Sequence, residues 1–118
     1  AMLLVPSLSG AGAGKVTAAE AVRLINREKG VLIDVCEPAE YAAGHPMGSK
    51  NIPFGQLEGH KSLPSNKATP VILTCATGAR SGRAAALLRK QGYEKAVSLA
   101  GGNRAWGDAS LPVEKAAQ

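Results

Sequence analysis

Short apolar runs alternate along this chain with segments in which apolar residues recur every three or four positions. The runs over residues 31–35 and 71–74 are rich in β-branched side chains, and a third run covers residues 97–99. Continuous apolar runs of this length are typical of strands that are buried on both faces of a parallel sheet. The pattern therefore predicts three buried strands, and Asn51-Ile52 is a candidate for a further short strand.

Helical segments are predicted between these strands. Thr17 and Glu20 match a capping box, in which each side chain accepts a hydrogen bond from the other residue's backbone amide, so the first helix follows Thr17 and ends at Gly30. Further helices, bounded by proline and glycine, are predicted over residues 38–43, 81–91 and 103–106. Strands separated by helices predict an α/β fold with a mainly parallel sheet.

The length and composition of the chain predict the number of domains. A chain of 118 residues with 45% apolar and 19% charged residues is expected to form one domain with its own hydrophobic core. We predict this domain over residues 15–115. Residues 1–14 are rich in glycine and are predicted to be a flexible leader, as the remnant of either a tag or a membrane anchor.

Charge and cysteine content narrow the range of partners and compartments. The net charge of +5 favours small anionic partners, but the basic residues are scattered and few aromatic residues lie among them, so nucleic-acid binding is not expected. Two cysteines do not form a disulfide scaffold, and the two histidines lack metal-ligand spacing. We predict a cytoplasmic protein without a metal, with membrane tethering through an N-terminal segment as the alternative.

The segment from Cys75 to Ser81 carries the candidate chemistry. It joins the carboxyl end of a predicted strand to the start of a helix, where open α/β sheets bind ligands and where helix amides and the helix dipole stabilise an anion. Gly78 permits a tight turn with positive φ, and Arg80 adds a forked cation. We therefore expect a thiol with a lowered pKa. An inert buried thiol beside a solvated Arg80 is the alternative.

Three blocks of sequence together resemble the rhodanese family. The blocks, which span about residues 16–114, are Ile-Asp-Val-Cys-Glu-Pro-Ala-Glu-Tyr at 33–41, followed by Gly-His at 44–45 and Asn-Ile-Pro at 51–53; the Cys75 loop; and Leu-Ala-Gly-Gly-Asn-Arg-Ala-Trp at 99–106, followed by Leu-Pro-Val at 111–113. The resemblance implies a three-layer rhodanese-like fold, in which helices flank a central, mainly parallel sheet of five strands. It implies no cofactor.

The resemblance also implies a sulfurtransferase reaction. Cys75 would take a sulfane sulfur from a small anionic donor such as thiosulfate, or from a persulfide, and would hold it as a persulfide until cyanide or a thiol removes it. Arg80 would bind the donor. The backbone amides that would stabilise the persulfide are those of Ala76, Thr77, Gly78, Ala79, Arg80 and Ser81. Because Ala76 and Thr77 are uncharged, thiosulfate is expected to be a poor donor compared with a small-thiol or protein persulfide, and a sulfur-relay protein is a possible partner.

Two other function classes stay open. One is a binding or regulatory module that keeps the fold without turnover, against which the intact Cys75 and Arg80 argue. The other is a phosphatase or an arsenate-type reductase. Phosphatases of this fold have five residues between the cysteine and the arginine, whereas this chain has four.

The chain departs from the family at position 36, where Cys36 stands in place of an arginine that ordinarily pairs with an acid. The interpretation we favour is a small apolar side chain, and the alternative is a resolving thiol that forms a disulfide with Cys75. Residues expected to serve the structure rather than the reaction are Asp34, Glu40, His45, Trp106 and the turn at Gly101 and Gly102.

Overall fold

The computed structural model describes residues 14–115. Its strands are β1 (Lys15–Val16), β2 (Val31–Asp34), β3 (His45–Pro46), β4 (Lys50–Asn51), β5 (Val71–Thr74), β6 (Ala96–Leu99) and β7 (Val113–Glu114). Its helices are α1 (Ala18–Glu28), α2 (Pro38–Ala43), α3 (Ala79–Lys90) and α4 (Gly102–Asp108), with a short 3-10 helix at Phe54–Gln56.

Five strands form one parallel sheet in the order β1-β6-β5-β2-β4. The core strand β5 is buried throughout and pairs with β2 on one side and β6 on the other. Strands β3 and β7 form a separate antiparallel pair. The expected α/β fold with a central, mainly parallel sheet of five strands flanked by helices is confirmed.

The alternating side chains of the sheet form two apolar clusters, one on each face. On one face, Leu73 of β5 packs in a cluster with Ala84 and Leu88 of α3. On the other face, Ile72 belongs to a cluster with Ala21 of α1 and Trp106 of α4. The Trp106 side chain is buried and its indole N–H donates to the Pro112 carbonyl, so its expected role as a core anchor is confirmed.

Several predicted boundaries need correction. Helix α3 begins at Ala79 rather than at Ser81, because Gly78 with φ of 102° already turns the chain into the helix. Helix α1 ends at Glu28, before the predicted end at Gly30, because Lys29 already adopts the left-handed conformation. The predicted Thr17–Glu20 capping box is present, with bonds of 2.8 and 3.1 Å.

Within residues 14–115, no helix is long and apolar enough to cross a membrane. The same part of the chain contains no group of three acidic, histidine or cysteine side chains arranged to hold a metal ion. Apart from Gly14, the predicted leader lies outside the described residues.

Candidate active site

Cys75 directly follows β5, at the carboxyl edge of the sheet. Its Sγ accepts hydrogen bonds from the backbone N–H of Gly78, at 3.1 Å, and from that of Ser81, at 3.4 Å. The Ser81 hydroxyl lies 3.7 Å from the same sulfur. The thiol is only 1% exposed. The turn at Gly78 thus wraps the first residues of α3 around a single buried sulfur atom.

This environment favours the thiolate. Burial raises the pKa of Cys75, but hydrogen bonds from the amide and hydroxyl of Ser81 and from the amides of Gly78 and Thr77 outweigh it and hold the pKa below its ordinary value. The direction agrees with the expectation from the sequence. The thiolate is the form of cysteine that acts as a nucleophile.

Ser98 on β6 forms a hydrogen bond with Ser81. The two hydroxyl oxygens are 2.8 Å apart, and the Ser81 hydroxyl also lies 3.1 Å from the Gly78 carbonyl, to which it can donate. Ser98 is 1% exposed and is flanked in the sequence by apolar residues. A serine within an apolar strand was visible in the sequence, but this feature alone did not identify Ser98 as part of the site.

Helix α4 closes the site from the other side. The N–H of Asn103 donates to the Cys75 carbonyl at 2.7 Å, and that of Arg104 to the Ala76 carbonyl at 3.3 Å. A Cβ on Gly102 would overlap the Cys75 carbonyl oxygen and lie 2.8 Å from the Gly78 nitrogen. The predicted glycine turn near the site is therefore confirmed, and it serves the close approach of two backbones.

Asn103 joins this helix to the ends of two strands. Its side-chain oxygen accepts from the Thr74 hydroxyl at 2.7 Å, and its side-chain nitrogen donates to the Asp34 carboxylate at 2.9 Å. Asp34 also accepts from the Cys36 amide at 2.9 Å. These bonds confirm the structural role expected of Asp34. Asn103 itself was not predicted, because its partners are distant in the sequence.

Arg80 forms an ion pair with Glu40 of α2. Its two terminal nitrogens donate to the two carboxylate oxygens at 2.8 and 3.0 Å. The hydrogen bonds from Arg80 and from the Glu37 amide lower the pKa of Glu40 to about 2. In this chain, which has Cys36 where the family usually has an arginine, the cation that pairs with Glu40 comes from α3. That Arg80 also binds a donor stays a prediction, since part of its hydrogen-bonding capacity is directed at Glu40.

Cys36 lies beside this ion pair. It is 2% exposed, and its Sγ is 3.8 Å from a terminal nitrogen of Arg80. Burial, together with the hydrogen bond and charge of Asp34, raises its pKa to about 12. Both cysteines are free thiols. A protonated, buried Cys36 fits the small apolar side chain that we favoured, whereas the resolving thiol stays an untested alternative.

A cavity of about 280 Å³ opens beside the Cys75 loop. It is lined by Cys36, Glu40, Gly44, His45, Ala76, Asn103, Arg104 and Val113. His45 is buried there, stacks on Tyr41 with ring centroids 3.6 Å apart and bonds through Nδ1 to the Tyr41 carbonyl at 2.7 Å, as expected of a structural histidine.

A second cavity, of about 660 Å³, lies at the amino ends of β5 and β6, between α1 and the end of α3. Although it is larger, neither cysteine lines it, and Cys75 is at the opposite end of its strand. A third cavity, of about 310 Å³, lies on the other side of the loop and is lined by Thr77, Gly78 and Ala79. The two smaller cavities therefore adjoin the Cys75 loop, and the one lined by Cys36 and Ala76 also borders the Arg80–Glu40 pair.

Comparison with known proteins agrees with this geometry. The profile of the rhodanese-like domain family matches residues 17–109. The chain is 46% identical over 80 residues to the uncharacterized protein YqhL of Bacillus subtilis, a match that covers 67% of this chain and 62% of that protein, so the chain spans less than two thirds of this relative. It is 32% identical over 91 residues to the thiosulfate sulfurtransferase GlpE of Pseudoalteromonas translucida, covering 77% of this chain and 86% of GlpE.

Among solved structures, the human single-domain sulfurtransferase TSTD1 superposes with a TM-score of 0.73 and 28% identity, over 82% of this chain and 97% of TSTD1. The relatives thus include proteins named as sulfurtransferases, and one of them, TSTD1, shares the fold described above. The family profile covers the Cys75 loop together with α2, α3 and α4, which surround it. The chain belongs to the family of rhodanese-like domains.

Proposed function

We propose that this domain is a sulfurtransferase that carries a sulfane sulfur as a persulfide on Cys75. The observation that carries the proposal is the buried Cys75 sulfur, which accepts hydrogen bonds from the Gly78 and Ser81 amides at the start of α3. The sulfurtransferase names of GlpE and TSTD1 support the same reaction class.

The reaction proceeds in two displacements. In the first, the Cys75 thiolate attacks the outer sulfur of thiosulfate; a new S–S bond forms, the donor's S–S bond breaks, and sulfite leaves with the electron pair. In the second, cyanide or a thiolate attacks the outer sulfur of the persulfide and releases the Cys75 thiolate. The products are thiocyanate or a new persulfide. With a persulfide donor, a thiolate takes the place of sulfite.

The loop supplies the groups that hold the charge. The amides of Gly78, Ser81 and Thr77 stabilise the thiolate before attack. Ala79 and Arg80 occupy the first positions of α3, where backbone amides have no partner within the helix, and we assign these amides to the outer sulfur. The N–H groups of Arg80 that Glu40 does not use remain available to a donor anion.

The donor we favour is a small-thiol or protein persulfide rather than thiosulfate. Ala76 and Thr77 add no positive charge beside Cys75, and Glu40 offsets the charge of Arg80. A doubly charged donor therefore meets a weaker field than the +5 net charge suggests. If the donor is a protein persulfide, this domain is one of several proteins that pass sulfur along a relay.

Intact mass spectrometry tests the proposal. The reduced protein is incubated separately with thiosulfate and with a small-thiol persulfide, beside the Cys75→Ser and Cys36→Ser variants. We expect wild type and Cys36→Ser to gain the mass of one sulfur and to lose it to cyanide, while Cys75→Ser gains none. No gain with either donor would overturn the sulfurtransferase proposal in favour of a binding module without turnover.

A further inference from the structure

We infer that Arg104 makes this sulfurtransferase selective for thiols and thiol persulfides that carry a carboxylate. The inference rests on the proposed function and adds to it the chemical class of the molecule that exchanges sulfur with Cys75. It rests on the position of Arg104, on its lack of a partner, and on the shape of the cavity beside it.

Arg104 lies at the mouth of the Cys75 loop. Its backbone N–H donates to the carbonyl of Ala76, the residue that follows Cys75, and Arg104 lines the 280 Å³ cavity together with Ala76. It stands in the first turn of α4, where the contact between Gly102 and the Cys75 carbonyl fixes the backbone. A molecule that binds in this cavity therefore lies next to both Arg104 and Ala76, the residue that follows Cys75.

The other charged groups of the cavity are already paired. Glu40 accepts both hydrogen bonds from Arg80, and His45 lies 3.5 Å from the Glu114 carboxylate. Among residues 14–115, no hydrogen bond or ion pair engages the exposed side chain of Arg104. Its guanidinium is thus the group at this mouth with its full set of donors available to an incoming anion.

The cavity sets the size and the polarity of the ligand. A volume of about 280 Å³ suits a small thiol, and Ala76 and Val113 provide an apolar wall for its carbon chain. A carboxylate a few bonds from the thiol can accept a forked pair of hydrogen bonds from Arg104 while its sulfur faces Cys75. Because Ala76 and Thr77 are uncharged and Glu40 offsets the charge of Arg80, we assign discrimination by charge to Arg104.

A series of acceptor thiols tests the inference. The Cys75 persulfide is formed first, excess donor is removed, and loading is measured by intact mass. The rate of sulfur removal is then measured with 3-mercaptopropionate, 2-mercaptoethanol and cysteamine, which are anionic, neutral and cationic. The variants are Arg104→Ala, Arg104→Lys and Arg104→Glu. Arg23→Ala, at an exposed arginine of α1 beside the opposite edge of the sheet, is the matched control.

We expect Arg104→Ala to lower the preference for 3-mercaptopropionate over 2-mercaptoethanol about tenfold, because the carboxylate loses one pair of charge-assisted hydrogen bonds. Arg104→Lys should retain part of the preference, and Arg104→Glu should shift it toward cysteamine. Arg23→Ala should behave as wild type. The intrinsic reactivity of each thiol cancels when a variant is compared with wild type.

The outcomes separate this inference from the proposed function. If the persulfide forms but the Arg104 variants change all three rates equally, or not at all, Arg104 does not select for charge and the inference fails alone. If Cys75 takes up no sulfur from any donor, both fail together.

Discussion

At the scale of single residues, this domain holds two buried cysteines whose pKa values are shifted in opposite directions. Cys75 is 1% exposed and Cys36 is 2% exposed, so burial alone does not distinguish them. The difference lies in the neighbours, because backbone N–H groups and a hydroxyl face the Cys75 sulfur while the Asp34 carboxylate faces Cys36. Hydrogen-bond donors favour the thiolate, and a nearby negative charge favours the thiol.

Alkylation by iodoacetamide should therefore be selective. At neutral pH we expect Cys75 to react much faster than Cys36, because the pKa of Cys75 is lowered and that of Cys36 is raised to about 12. Raising the pH should increase the Cys36 rate while the Cys75 rate levels off. Peptide mapping of partly labelled protein gives both rates. Equal rates at neutral pH would contradict the proposed environments.

At the scale of secondary-structure elements, the site depends on how closely α4 approaches the Cys75 loop. Gly102 is the contact point, with φ of 59° and no room for a Cβ. Gly107 lies in the same helix, and a Cβ there would meet no atom within 4 Å. One helix thus contains a glycine that the packing requires and a glycine that it does not.

Alanine substitutions separate these two cases. We expect Gly102→Ala to destabilise the domain by about 1–3 kcal/mol or more, since the added methyl forces α4 away from the loop, and to reduce sulfur transfer with it. Gly107→Ala should leave transfer unchanged and add up to about 1 kcal/mol of stability, because alanine is the better helix former. Urea unfolding and sulfur transfer measure both effects. Similar stability losses in the two variants would refute this account of the packing.

The Arg80–Glu40 pair links α2 to α3. Because the pKa of Glu40 falls from 4.5 to about 2 in the folded state, its contribution to stability is complete above about pH 4.5 and is lost as the pH falls toward 2. Both side chains are partly exposed, at 31% and 44%, so the contribution is under about 1 kcal/mol.

Glu40→Gln should flatten the dependence of stability on pH in this acid window. The variant removes a carboxylate that must be deprotonated to hold Arg80, so it should lose less stability than wild type on acidification. Urea midpoints measured across the window provide the comparison. Glu58→Gln, at an exposed acid without an ion pair among residues 14–115, is the control and should follow wild type.

The sequence predicted those elements whose signal is local. The strand over residues 71–74 and the helix over 38–43 were predicted with their correct bounds. Each has an unbroken pattern of side chains and is flanked by residues that interrupt such elements. The two-residue strands β1, β3, β4 and β7 are too short to show any periodicity, and although a short strand was expected near residue 51, β1, β3 and β7 were not predicted.

The same distinction holds at the site. The turn at Gly78 and the hydrogen bonds around Cys75 follow from seven consecutive residues, and they were predicted. The pairing of Glu40 with Arg80 joins residues forty positions apart, and that of Asn103 with Asp34 joins residues farther apart still. Nothing in a single sequence reveals such pairs, because only the sheet brings the strand ends together.

At the scale of the whole molecule, the net charge of +5 is spread over the surface rather than gathered at the site, where Glu40 offsets Arg80. Such a field affects how often a charged substrate arrives more than how it reacts. It should therefore be visible in the salt dependence of the two half-reactions.

We expect kcat/KM for thiosulfate to fall as ionic strength rises, because salt screens the attraction between a positive protein and a dianion over distances beyond about 10 Å at 0.1 M. Removal of sulfur by 2-mercaptoethanol should depend less on salt, because its reacting thiolate carries one negative charge whereas thiosulfate carries two. Stopped-flow measurement of each half-reaction over a range of potassium chloride concentrations gives the two slopes. Equal slopes would show that the net charge has no part in substrate encounter.

The hydrogen bonds from α4 to the Cys75 and Ala76 carbonyls also have a consequence for the protein during its synthesis. The loop around the cysteine is completed by residues that the ribosome adds nearly thirty positions later. A nascent chain that ends before Gly102 therefore carries Cys75 without the backbone hydrogen bonds from α4, and we expect its loop to be held in place less firmly than in the folded domain. The persulfide chemistry that we propose for Cys75 is then expected to reach its full rate only after α4 has been synthesised and has packed against the loop.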